Sequence, residues 1–159
     1  KVAHISKVRY LGYGSTDLEG SAGLVTPKIR SENEEPNMRI AARSNGRGNE
    51  YRTLKLTQFI RGWVNYSALA DMKRLLSDTD EWLRRKIRAI YWKQWKKVKT
   101  RYKMIKKYNL SEWKVHDMAN CRKGIWRSSI MLNSVLTNKE IACLGYITMT
   151  DYYLKVCEN

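Results

Sequence analysis

The sequence predicts a mainly α fold in which a helical body follows a small N-terminal β-hairpin element. Three observations carry that reading. Both prolines, Pro27 and Pro36, and six of the nine glycines lie before residue 49, so helix breakers are confined almost entirely to the first third of the chain. From Glu50 onward apolar residues recur at helical spacings of three and four. Hydrophobic residues make up 43% of the 159, enough for a chain of this length to bury a core without staples.

The elements follow in order. VRYLGYG (8–14) has β-favouring residues closed by glycines and reads as half of a hairpin, with residues 15–26 as a turn and return strand. SENEEP (31–36) is polar and acidic and is expected at the surface. SNGRG (44–48) is a strong break. These features divide the chain into a strand-and-loop connector, 1–48, and a helical domain, 49–159. Leu56, Ile60, Trp63, Ser67 and Ala70 then mark one helical stripe, with Gln58, Arg61 and Asn65 on the opposite side. Gly62, inside that helix, suggests a close approach by a neighbouring helix. A short helix is expected around 71–76.

Next comes the most unusual segment. Lys and Arg number 31 against 15 Asp and Glu, a net charge of +16. Twelve of those cations, and no acid, fall between Arg84 and Lys107. The wheel predicts one long amphipathic helix here. Leu83, Ile87, Ile90, Tyr91, Trp95 and Val98 form its apolar side; Arg85, Arg88, Trp92, Lys96, Lys99 and Lys103 form its phosphate-facing side. Asp80 and Glu81 would sit in its first turn, where the helix dipole favours acids. Like charges three and four apart repel, so such a face is destabilising until a polyanion neutralises it. Trp92, on that side, admits two readings: a platform for an unpaired base or sugar, or a packing and cation–π partner of its own arginines. Trp63, Trp82 and Trp95 are expected in the core.

Ser111 is a cap candidate for a helix running to about Arg122 and stopped by Gly124. Thr137 with Glu140 forms a capping box, and Gly145 is a good C-terminal stop. The final piece, YITMTDYYLKV (146–156), is short and rich in aromatics.

Catalytic arrangements are not evident. Cys121, Cys143 and Cys157 have no close pairing, and His4 and His116 are far apart, which argues against a disulfide scaffold or a zinc site. His116 reads as structural. Asp71 and Asp151 are isolated and do not form a two-metal carboxylate pair. No apolar run approaches the roughly 20 residues that span a bilayer. The first residues do not read as a signal peptide, and the absence of a starting Met suggests a fragment or processed piece. With a pI near 9.9, a polyanion is the expected partner: nucleic acid first, an anionic membrane surface as the alternative.

Several long strings carry a resemblance: LTQFIRGWVNYSALADM (56–72), DEWLRRKIRAIYWKQWKKVKTRY (80–102), ANCRKGIWR (119–127) and LTNKEIACLGYITMTDYYLKV (136–156). Residues 50–157 resemble the group II intron maturase-specific domain, the thumb and X region of intron-encoded reverse transcriptases. SKVRYLGYG (6–14) resembles the strand after the palm in these proteins, and ARSNGRG (42–48) the loop before the first thumb helix. Between them the chain departs from the pattern: the family usually has a Lys-rich helix where SENEEPNM is acidic and carries Pro36.

The resemblance implies a helical thumb/X domain that grips group II intron RNA to promote splicing and, in the full protein, clamps an RNA template–primer duplex. It implies an intracellular setting, bacterial or organellar, with neither a membrane nor a small-molecule substrate as partner. No cofactor is expected in this chain. The family's Mg2+ sits at palm carboxylates in a Tyr-x-Asp-Asp motif, which this sequence lacks, so the chain should not polymerise by itself. Carried over residue by residue, Arg61 and Asn65 fall in the IRGWVNY block. Trp92, Lys93, Lys96 and Lys97 fall in WKQWKK, and Arg122, Lys123, Trp126 and Arg127 in RKxxWR. With the remaining cations Arg84, Arg85, Arg88, Lys99, Arg101, Lys103, Lys106 and Lys107, these form the candidate RNA-binding set. The rival reading is a basic amphipathic protein of the membrane surface or a general nucleic-acid binder.

Overall fold

The computed structural model describes residues 9–10, 13–14, 24–25, 39–42, 46–67 and 72–157. The fold is mainly α. Near the N-terminus the strands β1 (Arg9–Tyr10), β2 (Tyr13–Gly14) and β3 (Leu24–Val25) pair antiparallel in the order β1-β2-β3. Tyr10 stands opposite Tyr13, and Tyr13 in turn opposite Val25. The acidic segment 31–36 lies outside the described residues, as do Asp71 and most of the segment that departs from the family pattern.

The helices with both ends among the described residues are α1 (Asn49–Ser67), α2 (Lys73–Gln94), α3 (Val98–Lys106), α4 (Glu112–Ala119), α5 (Ile125–Met131), α6 (Asn138–Cys143) and α7 (Met149–Cys157). A short 3-10 turn, Leu132–Ser134, follows α5. The chain groups into two compact units, one holding Arg47–Glu81 and the residues from Ile147, the other Trp82–Tyr146.

In the first unit α1 packs against α7. Leu56, Ile60, Trp63 and Val64 are buried along α1, and Met149 and Tyr153 along α7. Gly62 points to open space, so it does not mark a close helix approach. The expected short helix at 71–76 is instead the start of α2, which runs without interruption through Asp80 and Glu81. Asp80 is therefore not a first-turn acid of its own helix. It is buried, and its carboxylate accepts hydrogen bonds from the backbone N–H groups of Met149 and Thr150, both 2.9 Å, and from the Thr150 hydroxyl at 2.7 Å. It caps the N-terminus of α7 from the middle of the chain, satisfying donors that α7 cannot satisfy itself.

In the second unit Leu83, Ile87, Ala89, Ile90, Trp92 and Trp95 are buried along α2 and its exit. Ile105 of α3, Val115, Met118 and Ala119 of α4, and Leu132, Val135, Leu136, Ile141 and Tyr146 are buried with them. The basic run is not one helix. Helical hydrogen bonding persists to Trp95, whose N–H reaches the Tyr91 carbonyl at 3.0 Å; then Lys97 turns extended and α3 begins at Val98. The one-signed charge of Lys93, Lys96, Lys97 and Lys99 disfavours a continuous helix. The break is also compensated: the freed Trp95 carbonyl accepts from Arg101 Nε at 2.8 Å. Val98, assigned by the wheel to the apolar side, is 46% exposed as a result.

Other boundaries follow their local chemistry. Ser111 precedes α4 but its hydroxyl makes no cap, and the helix ends at Ala119, short of Arg122. Gly124 starts α5 rather than stopping α4. Thr137 does cap α6, its hydroxyl accepting from the Glu140 N–H at 3.3 Å. Gly145, just past α6, has φ +89°, the left-handed conformation that glycine adopts without strain.

Candidate nucleic-acid interface

The candidate residues separate by exposure. Lys96, Lys97, Lys99, Lys103, Lys106 and Lys107 are exposed on α3 and its flanks. Arg122, Lys123, Trp126 and Arg127 are exposed on the turn into α5 and on its first residues, and Arg61 and Asn65 on α1. Arg84, Arg85, Lys93 and Arg101 are half-buried. Arg88 and Trp92 are buried.

Arg88 is the clearest correction. Expected on a solvent-facing side, it is 6% exposed and fully engaged inside its unit. Its Nε donates to the Leu136 carbonyl at 2.8 Å and its Nη2 to Asn138 Oδ1 at 3.0 Å. It holds the segment entering α6 against α2. Burial, and then the neighbouring Arg84 guanidinium, lower its pKa from the ordinary arginine value. The reason the wheel misplaced it is visible in Ile87, Arg88, Ala89 and Ile90, four consecutive buried residues. A helix enclosed on every side has no polar face to read.

Trp92 resolves toward its packing alternative. It is 2% exposed, and the Arg101 guanidinium lies 4.2 Å from the centre of its ring. Arg101 also donates to the carbonyls of Trp95 and, at 3.4 Å through Nη1, Cys121. This one arginine thus ties the exit of α2 to the residues after α4. Trp63 and Trp95 are core residues as expected, but Trp82 is only half-buried, with Lys86 Nζ 5.1 Å from its ring.

Trp126 remains at the surface at 38% exposure. The Arg85 guanidinium covers its ring at 4.0 Å and Lys86 Nζ approaches to 5.2 Å. Lys86 was outside the candidate set; its place beside Trp126 depends on contact between α2 and α5, some forty residues apart in sequence, which no local pattern reveals. The turn carrying Arg122, Lys123 and Arg127 is braced by Ser128 Oγ donating to the Lys123 carbonyl at 2.9 Å and by Ser129 Oγ donating to the Trp126 carbonyl at 2.6 Å.

Beside α3, Tyr102 donates to Glu112 Oε1 at 2.9 Å, and Lys106 Nζ lies 3.6 Å from the same oxygen. The Tyr102 hydrogen bond, then the Lys106 charge, hold the Glu112 carboxyl below the usual carboxylate range. His116 is exposed and meets the Tyr102 ring edge-on, with centroids 5.1 Å apart. Among the described residues no group of three or more His, Cys, Asp or Glu is arranged to hold a metal ion. Nor, among them, is any helix long and apolar enough to cross a membrane.

The arrangement sets exposed lysines along α3 and its flanks, with half-buried Arg85 and Arg101 against the rings of Trp126 and Trp92. Comparison with known families agrees with the resemblance read from the sequence. Residues 38–109 match the family model of the group II intron maturase-specific domain. That span contains α1, α2 and α3, and with them the exposed lysines from Lys96 to Lys107. No curated protein matches the chain.

Proposed function

We propose, from the match of residues 38–109 to the group II intron maturase-specific domain, that this chain binds structured group II intron RNA and stabilises its splicing-competent fold. The observation that carries the reading is the row Lys96, Lys97, Lys99, Lys103, Lys106 and Lys107, exposed within the matched span. Lysines held at a surface against their mutual repulsion gain most from a phosphate backbone, whose bound counterions they release. Arg122, Lys123 and Arg127, on their braced turn, and Arg61 and Asn65 on α1 would add phosphate and sugar contacts. Splicing chemistry on this reading belongs to the RNA, and the protein contributes charge and shape. In a longer protein bearing a polymerase palm, the same helices would clamp a template–primer duplex.

The test is binding to a folded intron RNA across a salt series. Neutralising about six to eight phosphates gives log K against log salt a slope of roughly −4 to −7. A slope near −1 would mean that the lysine row is not the RNA face.

A further inference from the structure

Arg85 and Lys86 are neighbours on α2, so their side chains leave the helix about 100° apart. Both nevertheless end at one exposed ring: the Arg85 guanidinium lies 4.0 Å from the centre of Trp126 and Lys86 Nζ 5.2 Å from it. Lys86 Nζ also lies 5.1 Å from the Trp82 ring, so two indoles share the ammonium. Like charges brought together in this way repel unless an anion joins them. The chain offers little anion of its own. No Asp or Glu occurs from Trp82 to Ser111 or from Met118 to Lys139, the segments that carry the ring and its cations. The bounding acids are Glu81, one turn before Arg85, and Asp117, five residues before Arg122. Against them stand Arg85, Lys86 and, in the braced turn and first residues around Trp126, Arg122, Lys123 and Arg127.

Arg85 also differs from Arg88 and Arg101 in how its donors are used. Nε of Arg88 donates to the Leu136 carbonyl, and Nε of Arg101 to the Trp95 carbonyl. Nε of Arg85 is closed off from solvent and meets no acceptor. An indole positions this guanidinium, and no carbonyl claims its Nε. A guanidinium stacked on a ring keeps its in-plane N–H groups clear of that ring, and two of them match the oxygens of a phosphate. With Nε closed off, an anion meets the group at its Nη end. We propose that Arg85, laid on Trp126 beside Lys86, is a fixed two-donor anchor for one backbone phosphate of the bound RNA, carried by α2 and α5 rather than by the lysine row of α3. The proposal rests on the RNA-binding reading above and adds register to it. The lysines hold the polymer by charge; the anchor holds one phosphate by geometry. A lipid headgroup phosphate has the same chemistry, so the experiment separates the two sources.

Binding of the 159-residue chain and its variants to a folded group II intron RNA is measured across a salt series. Arg85→Lys keeps the charge and loses the fork. It should weaken binding about five- to ten-fold with an unchanged salt slope. Trp126→Ala keeps every cation and loses the support, and should weaken binding by a similar factor. Trp126→Phe keeps a ring and should restore most of that loss. The double variant, Arg85→Lys with Trp126→Ala, should bind about as well as either single one, because each removes the same geometry. Arg74→Lys, a charge-preserving change at the exposed start of α2, should stay within about two-fold of native. Far-UV circular dichroism should be the same for every variant; if Trp126→Ala loses helix, Arg85→Lys and Trp126→Phe decide. Native affinity in Arg85→Lys, or losses that multiply in the double variant, would overturn the anchor while the RNA-binding reading stood. So would a loss seen only on phosphatidylglycerol vesicles, which would make the phosphate a lipid's. A native chain that does not bind the RNA would overturn the reading and the anchor together.

Discussion

The stretch from Arg84 to Gln94 and the stretch from Lys96 to Lys107 are both rich in cations and free of acids, yet have opposite fates. In the first, Arg88 is buried in hydrogen bonds to Leu136 and Asn138, and the Arg85 guanidinium lies over the Trp126 ring. In the second, six lysines stand in solvent. The chemical identity of the cation tracks the difference. Guanidinium is planar, weakly hydrated and has five donors, so it can enter a protein interior if carbonyls and ring faces receive it. Ammonium is strongly hydrated: Lys86 and Lys93 go no further than half-buried, and the six lysines of the second stretch are exposed. Arg101 supports the rule from within the second stretch: its one half-buried arginine stacks on Trp92 and serves two carbonyls. Charge density alone does not define a binding face; the Lys-to-Arg ratio within it helps to.

The comparison breaks most visibly at Arg88. Arg88→Met keeps the length of the side chain but leaves the Leu136 carbonyl and Asn138 without their donor. It should destabilise by about 2–4 kcal/mol in chemical denaturation while leaving the salt slope of RNA binding unchanged. A steep drop in RNA affinity at unchanged stability would put Arg88 on the ligand instead. The lysine stretch should respond the other way. Replacing Lys96, Lys99 and Lys103 together by Ala should move stability by no more than about 0.5 kcal/mol per site. The same change should flatten the salt slope by roughly 2–3, near one unit for each phosphate left without its lysine. Loss of cooperative unfolding would show that these lysines pack.

The smallest effect concerns Glu112, which is fully exposed. Its folded pKa lies below the unfolded value, so its contribution is complete above the usual carboxylate range and fades as pH falls through the folded value. Glu112→Gln should therefore lower Tm slightly at neutral pH, and the gap should close in strong acid. A gap of constant size would mean that the hydrogen bond with Tyr102 owes nothing to the charge.

Much of this was legible in the residues. Thr137, Glu140 and Gly145 act locally, and local chemistry is what a sequence displays; the α1 stripe through Leu56, Ile60 and Trp63 is likewise a local period. The exposed lysines followed from composition. What was hidden is long-range. Asp80 looks like any acid near a helix start until Thr150 arrives beside it. Arg88 and Trp92 were misassigned because a helical wheel presumes one wet side, and α2 between Ile87 and Ile90 has none. The break at Lys96 and Lys97 carries no proline or glycine; what accommodates it is the place Arg101 finds on Trp92 and the Trp95 carbonyl.

The Asp80 cap also orders events during synthesis. It joins residues 69 and 70 positions apart, and α1 packs on the same terminal helix. The unit built on α1 therefore cannot close until the ribosome has released residues near 150. By contrast, α3 and α4 meet across a short loop, and Arg88 reaches only 48 residues ahead. Loop closure and contact order both favour the inner unit, Trp82–Tyr146, as the first to consolidate. In a nascent chain α1 then waits without the terminal helix it packs against, and the interval before α7 emerges is one in which apolar surface of this unit is open to chaperones and to aggregation.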